Sequence, residues 1–279
     1  MISPSPLRYP GGKTKLYPYL VHILDANPME NITYVEPFAG GCGLALTLLQ
    51  ENKVKHIIIN DYDFTIYAFW YSVLNLTDDL CNLIQNTPIT INQWDIQKEI
   101  YVNHRQYNIL DVGFATFFLN RTNRSGIING GIIGGRQQQG NYLIDCRFNK
   151  DTLIRKIKKI STFKDKISLY NFDAIDLINN IIMQLPVENT FIYLDPPYVK
   201  KGPQLYINHY KFGDHEYLYN HISGNLKHRW FITYDFTNEI SYLYRNYQQN
   251  IIDITYSAGT KRIGNELAIF SHNLNMPTT

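Results

Sequence analysis

The residues best suited to chemistry are four consecutive ones, Asp195-Pro196-Pro197-Tyr198, which follow the apolar run TFIYL. An amine conjugated to an aromatic ring is a poor nucleophile because its lone pair is delocalised. A carboxylate and a backbone carbonyl that both accept from such an amine pull it toward tetrahedral geometry. The two prolines fix the turn and hold the Pro196 carbonyl outward, and the Tyr198 ring offers a face for stacking. The alternative interpretation is a rigid β-turn that carries an exposed acid.

A glycine-rich stretch at Glu36–Gly43 (EPFAGGCG) lies between an apolar run and a helical pattern. Glycines at such a strand–helix turn let the backbone approach a ligand. The stretch is not a complete G-x-G-x-x-G, so dinucleotide binding is not favoured. Asp61 ends the next apolar run, where an acid binds ribose hydroxyls or caps the following helix. Asp63 is the better cap by position, which leaves Asp61 available for a ligand.

The N-terminal segment Arg8–Thr14 (RYPGGKT) has two interpretations. Its GKT end suggests a phosphate-binding loop, but that motif requires glycine where Leu7 stands. The segment is therefore either a turn that begins a helix or a place where Tyr9 and Lys13 lie beside a bound cofactor.

Short β-branched and aromatic runs alternate with helical patterns along most of the chain. Strands are predicted at Thr33–Val35, Lys55–Asn60, Ile167–Tyr170, Thr190–Leu194 and Trp230–Tyr234. Helices are predicted at Lys13–Leu24, Gly43–Asn52, Phe64–Leu76, Lys150–Ile160, Ala174–Gln184 and His215–His228. This alternation predicts an α/β fold with a mostly parallel sheet covered on both faces. Acids collect at the carboxyl ends of the strands, where ligands bind in open α/β sheets.

The rhythm breaks between about residues 76 and 149, in pieces rich in Asn, Gln and Gly. From Val112 to Ile144 there are three arginines, Arg121, Arg124 and Arg136, and no acid. We therefore predict an inserted module at residues 66–160, mostly helical and loop, between the two parts of a catalytic domain at 1–65 and 161–279.

The composition excludes several classes of protein. With 44% hydrophobic and 18% charged residues the chain is globular. Its 26 basic and 24 acidic residues give a net charge of +2, so any anion-binding surface must come from local clustering. Three separated cysteines and eight histidines show no metal-ligand spacing, and no metal is expected. No signal peptide or membrane-spanning run is found, so the cytoplasm is the expected location and no membrane contact is expected. A monomer is expected because the sequence shows no zipper or other dimerisation signature.

Taken together and in this order, these motifs resemble the Dam-type (D12 class) family of DNA adenine-N6 methyltransferases. RYPGGK is similar to the family's N-terminal motif, EPFAGG to its methionine-binding loop, Asp61 to its ribose-binding acid and DPPY to its catalytic motif. The stretch Arg262–Leu267 (RIGNEL) is similar to the family's late Arg…Glu-Leu strand. The resemblance implies a class I S-adenosylmethionine-dependent methyltransferase fold, with a Rossmann-like mixed sheet and an inserted target-recognition module.

The resemblance also implies S-adenosylmethionine as cofactor, double-stranded DNA as partner and base flipping. Catalytic roles fall on Asp195, Pro196, Pro197 and Tyr198. Cofactor binding falls on Tyr9, Lys13, Phe38, Gly40, Asp61, Phe172, Asp173 and Asp195. Contacts to DNA are expected from Arg121, Asn123, Arg124, Arg136, Gln138, Lys200 and Lys201, with Gln137, Lys211 and Lys227 as further candidates.

Two departures from the family pattern stand out. Cys42 occupies the second glycine position of the cofactor loop, and the middle of residues 120–149 differs from that of the GATC-reading members. GATC is therefore not predicted as the site. The expected protein belongs to a restriction-modification system or is an orphan or phage methylase. The alternatives are adenine-N6 methylation of RNA and an inactive DNA-binding protein with a methyltransferase fold.

Overall fold

One seven-stranded sheet organises the molecule. The computed structural model describes residues 3–8, 13–199, 210–256 and 262–275. The strands are β1 Thr33–Glu36, β2 His56–Asn60, β3 Ile167–Tyr170, β4 Thr190–Leu194, β5 Arg229–Asp235, β6 Gln248–Tyr256 and β7 Arg262–Phe270. Their order across the sheet is β3-β2-β1-β4-β5-β7-β6. The first five are parallel, and β7 is antiparallel to both of its neighbours.

The five parallel strands agree with the sequence prediction to within one residue at each end. These strands can be predicted from the sequence because adjacent strands and the helices on both faces bury them. Every residue of β4, for example, is buried, so this strand is a continuous apolar run. β6 was missed, and β7 was anticipated only through the resemblance of RIGNEL to a late strand. β6 (QQNIIDITY) is an edge strand that mixes polar and apolar residues, so it carries a weaker signal.

Helices cover both faces of the sheet. They are α1 Tyr17–Ala26, α2 Gly43–Gln50, α3 Phe64–Asn75, α4 Thr77–Asn86, α5 Ile91–Val102, α6 Ile109–Thr122, α7 Lys150–Ser161, α8 Ala174–Asn180, α9 Phe212–Asn225 and α10 Asn238–Leu243. Successive strand residues point into different cores, since Tyr34 packs on the α1–α3 side and Val35 on the α8–α10 side. The predicted helix-covered α/β fold is confirmed.

The segment between β2 and β3 is helical from α3 to α6, followed by a long loop at residues 123–149 and then α7. Most of its buried side chains join the core of the sheet, and a small separate cluster is formed by Tyr101, Ala115 and Leu119. Phe117 of α6 stacks on Phe69 of α3 at a centroid distance of 5.6 Å, and both belong to the cluster that contains Ile57 and Ile59 of the sheet. None of the helices in the described part of the chain is long and apolar enough to cross a membrane.

The N-terminal segment 3–8 is bound to this inserted region. The Arg8 backbone N–H donates to Asn120 Oδ1 over 2.7 Å, and Asn120 Nδ2 donates to the Arg8 carbonyl over 2.8 Å. Gly126 has a φ of +78°, and a Cβ added there would lie 2.1 Å from that same carbonyl oxygen. Only glycine permits this approach, so the segment and the loop fit backbone against backbone.

Candidate active site

Asp195 lies directly after β4, near the middle of the sheet, with a side chain that is 20% exposed. Its Oδ1 accepts from Lys13 Nζ at 2.7 Å and from Thr233 Oγ1 of β5 at 3.3 Å. Both of these hydrogen bonds end on Oδ1. Burial raises the pKa of Asp195 to about 6, and the nearby Lys13 opposes that rise.

Lys13 begins a short 3-10 turn at Lys13–Leu16, and its side chain is 5% exposed. Besides Asp195, its ammonium contacts the Tyr198 hydroxyl at 2.6 Å and Glu266 Oε1 at 3.2 Å. The sequence suggested Lys13 as a neighbour of the cofactor. The structure places the ammonium on the Asp195–Tyr198 motif, where it neutralises part of the buried negative charge.

Tyr198 is 2% exposed, so the structure contradicts the expectation of an open stacking face. Its hydroxyl donates to Glu266 Oε1 and accepts from Lys13, whose ammonium also lies 4.8 Å from the ring centroid. The Tyr198 phenol is buried because it bridges two buried charged groups. The chain beyond it is fixed by a hydrogen bond from the Val199 N–H to Asp235 Oδ1, at 3.0 Å. Pro196 is buried and Pro197 half-buried.

The glycine-rich turn after β1 contains two residues with positive φ, Gly40 at 46° and Cys42 at 49°. The Cys42 N–H donates to the Ala39 carbonyl at 2.8 Å, and Trp70 Nε1 donates to the Gly40 carbonyl at 2.8 Å. The left-handed backbone explains why glycine suits the position that Cys42 occupies. The Cys42 side chain fits into the interior, where it is 1% exposed. Burial raises the pKa of its thiol.

Asp61 joins this turn to the end of β2. Its Oδ2 accepts from the Gly40 N–H and its Oδ1 from the Asp63 N–H, both at 2.9 Å. Asp63 accepts from the Thr65 N–H at 2.8 Å and caps α3, as the sequence predicted. Asp61 stays partly exposed at the sheet edge. Burial, aided by the Asp63 charge, raises the pKa of Asp61 to about 7.

Two asparagines that the sequence analysis did not single out tie the strand ends together. Asn60 Nδ2 donates to the carbonyls of Pro37 and Phe172 at 2.9 and 3.0 Å, and its Oδ1 accepts from the Phe172 N–H at 2.8 Å. Asn171 Nδ2 donates to the Asp61 carbonyl at 2.7 Å. The loops after β1, β2 and β3 therefore form one hydrogen-bonded unit. The available signal in the sequence was an asparagine at the end of an apolar strand.

The loop after β3 presents an aromatic ring and a helix cap. Phe172 is 39% exposed and stacks on Tyr170 at 5.7 Å. Asp173 Oδ1 accepts from the Ile175 N–H at 2.9 Å, so this carboxylate caps α8. In the glycine-rich turn after β1, Phe38 is half-buried. Its ring meets that of Tyr210 edge-on, with the ring centroids 5.9 Å apart.

These groups fit a nucleoside. A partly exposed carboxylate at the end of β2 can accept from ribose hydroxyls, and exposed or half-buried aromatic rings can flank a base. Asp195 at the end of β4 lies at the same edge, since β2, β1 and β4 are parallel neighbours.

Glu36 is a further buried acid to which the sequence analysis gave no role. It ends β1, is 5% exposed, and its Oε1 accepts from the Tyr34 hydroxyl at 2.9 Å and the Ala45 N–H at 3.1 Å. Burial raises its pKa to about 8, and the Asp195 charge contributes to the rise. At neutral pH the Glu36 carboxyl is therefore mostly protonated.

Three of the residues expected to contact DNA bind groups within the protein, and the expectation is wrong for Asn123, whose side chain is not accessible. Asn123 is fully buried, with Oδ1 accepting from Trp94 Nε1 and Nδ2 donating to the Ile128 carbonyl. Gln138 donates to two loop carbonyls and accepts from the Ile144 N–H. Arg121 donates to the Arg147 and Pro6 carbonyls, and burial lowers its pKa to about 10.

Other expected contacts are on the surface. Arg124 and Gln137 are exposed, as are Lys211 and Lys227. Arg136 is 62% exposed and forms a two-pronged ion pair with Asp95, at 2.7 and 2.8 Å. Tyr9, Lys200 and Lys201 lie outside the described residues. Within the described ranges, no three His, Cys, Asp or Glu side chains are grouped so that they would hold a metal ion.

The strand order, the glycine-rich turn after β1 and the acids after β2 and β4 define a class I methyltransferase fold. The match of residues 9–258 to a family model is more specific. By that match, the chain belongs to the D12 class N6 adenine-specific DNA methyltransferase family.

One curated relative is "Modification methylase StsI" of Streptococcus sanguinis, 28% identical over 208 residues. The match covers 70% of this chain but only 28% of that protein, so the chain spans little more than a quarter of the relative's length. Among solved structures, an "rRNA methyltransferase aviRa" from Streptomyces viridochromogenes matches with 12% identity and a TM-score of 0.39. That match covers 94% of this chain and 85% of the other.

Proposed function

We propose that this protein transfers a methyl group from S-adenosylmethionine to the N6 amine of adenine in duplex DNA. One observation carries the proposal within the family: Asp195 is fixed through Oδ1 by Lys13 and Thr233. That arrangement leaves Oδ2 to accept from an amine. The Pro196 carbonyl, next in the rigid turn, is the second acceptor that the family motif implies.

For the cofactor, we assign Asp61 to the ribose, Phe38 and Phe172 to the adenine ring, and the turn at Gly40 to the methionine part. Asp173 and Tyr9 are assigned to the same pocket on the family resemblance. When bound, S-adenosylmethionine supplies an electrophilic methyl group on a positively charged sulfur. Asp61 accepts hydrogen bonds best when ionised, so cofactor affinity is expected to fall as the pH falls through about 7.

Asp195 must be ionised to accept from the adenine amine and to take up the proton that the methylated amine releases. Burial disfavours the ionised form, and Lys13 restores it by placing a positive charge 2.7 Å away. Lys13 is thus assigned to the reaction centre as well as to the cofactor side. The rest of the catalysis is positioning, because the reactive methyl group comes with the cofactor.

For DNA binding, we assign target recognition to the inserted module at residues 66–160 and the methyl transfer to residues 1–65 and 161–279. The exposed Arg124, Arg136 and Gln137 are the candidates to contact bases or phosphates. Lys200, Lys201, Lys211 and Lys227 are assigned to the phosphate path. The name of the matched relative favours a protective role beside a restriction enzyme.

The test is methyl transfer from labelled S-adenosylmethionine to unmethylated phage-length duplex DNA. Asp195→Ala is the inactive variant and Asp165→Ala the matched control, because Asp165 is an exposed acid next to the opposite end of the sheet. We expect transfer by the wild type and the control, and a loss of about a thousandfold or more in Asp195→Ala. Sequencing that reports modified adenine then gives the common site.

Each other result points elsewhere. Cofactor binding without transfer to duplex DNA would overturn the proposal, and RNA would then be tested as the substrate. A lack of cofactor binding would support an inactive DNA-binding protein. Equal activity in Asp195→Ala would show that the acid after β4 is not at the reaction centre.

A further inference from the structure

We propose that Glu266 is a positioning residue of the methyl-transfer centre, which anchors the Tyr198 hydroxyl and the Lys13 ammonium so that Tyr198 and Asp195 keep a fixed relation. This inference rests on the proposed function for its catalytic consequence. Its structural part concerns only residues of this chain.

The position of Glu266 in the sheet is the first reason. β7 pairs with β5 so that Glu266 lies opposite Asp235. β5 pairs in turn with β4, whose end carries Asp195. Glu266 therefore reaches the Asp195–Tyr198 motif from the antiparallel part of the sheet, while Lys13 reaches it from the N-terminal turn.

The contacts are the second reason. Glu266 Oε1 accepts from the Tyr198 hydroxyl and lies 3.2 Å from Lys13 Nζ. The same hydroxyl accepts from Lys13 at 2.6 Å. Three groups thus close a ring of hydrogen bonds, in which the phenol has both its donor and its acceptor in use. The position of the Tyr198 ring is fixed by Glu266 and Lys13 together.

Burial is the third reason. The Glu266 side chain is 1% exposed and that of Lys13 is 5% exposed. A buried carboxylate is costly unless neighbours compensate its charge, and a hydrophobic residue of similar volume would serve stability equally well. A second acid on a lysine that already binds Asp195 is unnecessary for neutralising that lysine. We infer that Glu266 contributes to the geometry of the centre.

The surrounding charges define what removing the Glu266 charge would do. Lys13, Asp195 and Glu266 carry one positive and two negative charges, and the neighbouring acid Glu36 is mostly protonated at neutral pH. The neutral hydroxyls that face the cluster belong to Tyr193, Tyr198 and Thr233. The Glu266 charge raises the pKa of Asp195. Replacing it with an amide is therefore expected to lower that pKa.

The first measurement uses the full chain without cofactor or DNA. Tyrosines labelled at Cζ are observed by NMR, and the Tyr198 signal among the 22 tyrosines is assigned by its loss in Tyr198→Phe. We expect Glu266→Gln to shift the Tyr198 signal, because the acceptor of its hydroxyl changes from a carboxylate to an amide. Glu188→Gln is the matched control; Glu188 is exposed and precedes β4 at the far end of the sheet. An unshifted signal in folded Glu266→Gln would overturn the proposal.

The second measurement is kinetic. In Glu266→Gln we expect kcat to fall about 10- to 100-fold with little change in KM for either substrate. We also expect the acid limb of the kcat–pH profile to move to lower pH. A residue that serves only stability would leave the limb in place. Glu188→Gln should match the wild type in both respects.

A double-mutant cycle tests whether Glu266 acts through Tyr198. Glu266→Gln should reduce kcat less in a Tyr198→Phe background than in the wild type, and additive losses would contradict the proposal. If Glu266→Gln does not fold, Tyr198→Phe alone decides, because an unchanged kcat would show that the anchored hydroxyl is dispensable. If the wild type methylates no DNA, the proposed function fails, and the NMR measurement still decides whether Glu266 anchors Tyr198.

Discussion

Buried polar side chains have different roles in two regions of this protein. At the carboxyl edge of the sheet, Lys13 binds both Asp195 and Glu266, and Asp195 is the acid that we assign to the reaction. In the loop 123–149, Asn123 and Gln138 bind backbone groups and the Trp94 indole. The edge of the sheet is built by strands whose ends are fixed by pairing. The loop has no strand pairs beyond an isolated bridge among its described residues, so its polar side chains must hold its shape.

Lys13→Met should give the largest effect, because it leaves the buried Asp195 and Glu266 without their ammonium. We expect a loss of about 3–5 kcal/mol in the free energy of unfolding at pH 8, together with loss of methyl transfer. Lys13 lowers the pKa of Asp195, so its removal raises that pKa further above the unfolded value. The ionised acid is then penalised in the folded state, and the stability deficit should shrink as the pH falls. Urea unfolding between pH 5 and 8 checks this; a deficit that grows toward low pH would contradict it.

Gly126→Ala should give the next largest effect and tests whether the loop depends on backbone fit. A Cβ at Gly126 would lie 2.1 Å from the Arg8 carbonyl oxygen, at a φ of +78°. We expect a loss of about 3 kcal/mol or more in unfolding free energy. Gly135→Ala is the control, since its φ is +69° but nothing lies within 4 Å of the added atom. That control should lose only about 1 kcal/mol. Equal losses in the two variants would show that the contact with Arg8 is unimportant.

Asn123→Ala distinguishes a structural residue from a base reader. It removes two hydrogen bonds and leaves the Trp94 N–H and the Ile128 carbonyl without this partner. We expect a loss of about 2 kcal/mol in unfolding free energy with an unchanged methylation sequence. Arg124→Ala, at an exposed position, should show the opposite pattern, with unchanged stability and altered DNA affinity or sequence preference. If Asn123→Ala changed the methylated sequence and Arg124→Ala did not, Asn123 would be shown to take part in sequence recognition.

Asp95→Asn should give the smallest effect. The Asp95–Arg136 pair is exposed on both sides, so its loss should leave the unfolding midpoint unchanged. It also frees Arg136 for phosphates, and we expect DNA affinity to rise about two- to fivefold at low salt. Titration at several salt concentrations checks this. A fall in affinity would show that the ion pair itself holds Arg136 in its binding position.

The same contrast explains what could be predicted from the sequence. Strands β1 to β5 and the acids that follow β2 and β4 are readable, because a buried parallel strand is an apolar run and its end is marked by a polar residue. The roles of Asn123 and Gln138 were not readable, because an amide that binds a base and one that binds a carbonyl look alike in sequence. Glu266 stood within a recognised motif, but its contact with Tyr198 depends on strand pairing between β5 and β7, which no local pattern reports.

The N-terminal segment sets an upper limit on how far the inserted segment can move away from the reaction centre. Arg8 is hydrogen-bonded to Asn120 of the insert, and Lys13 is bound to Asp195. Five peptide units join Arg8 to Lys13, which span at most about 18 Å when fully extended. A duplex that pushed the insert outward beyond this length would have to break one of the two attachments. The covalent chain thus acts as a tether between the insert and the reaction centre. Moving the insert away from the sheet would pull directly on the Lys13 ammonium group.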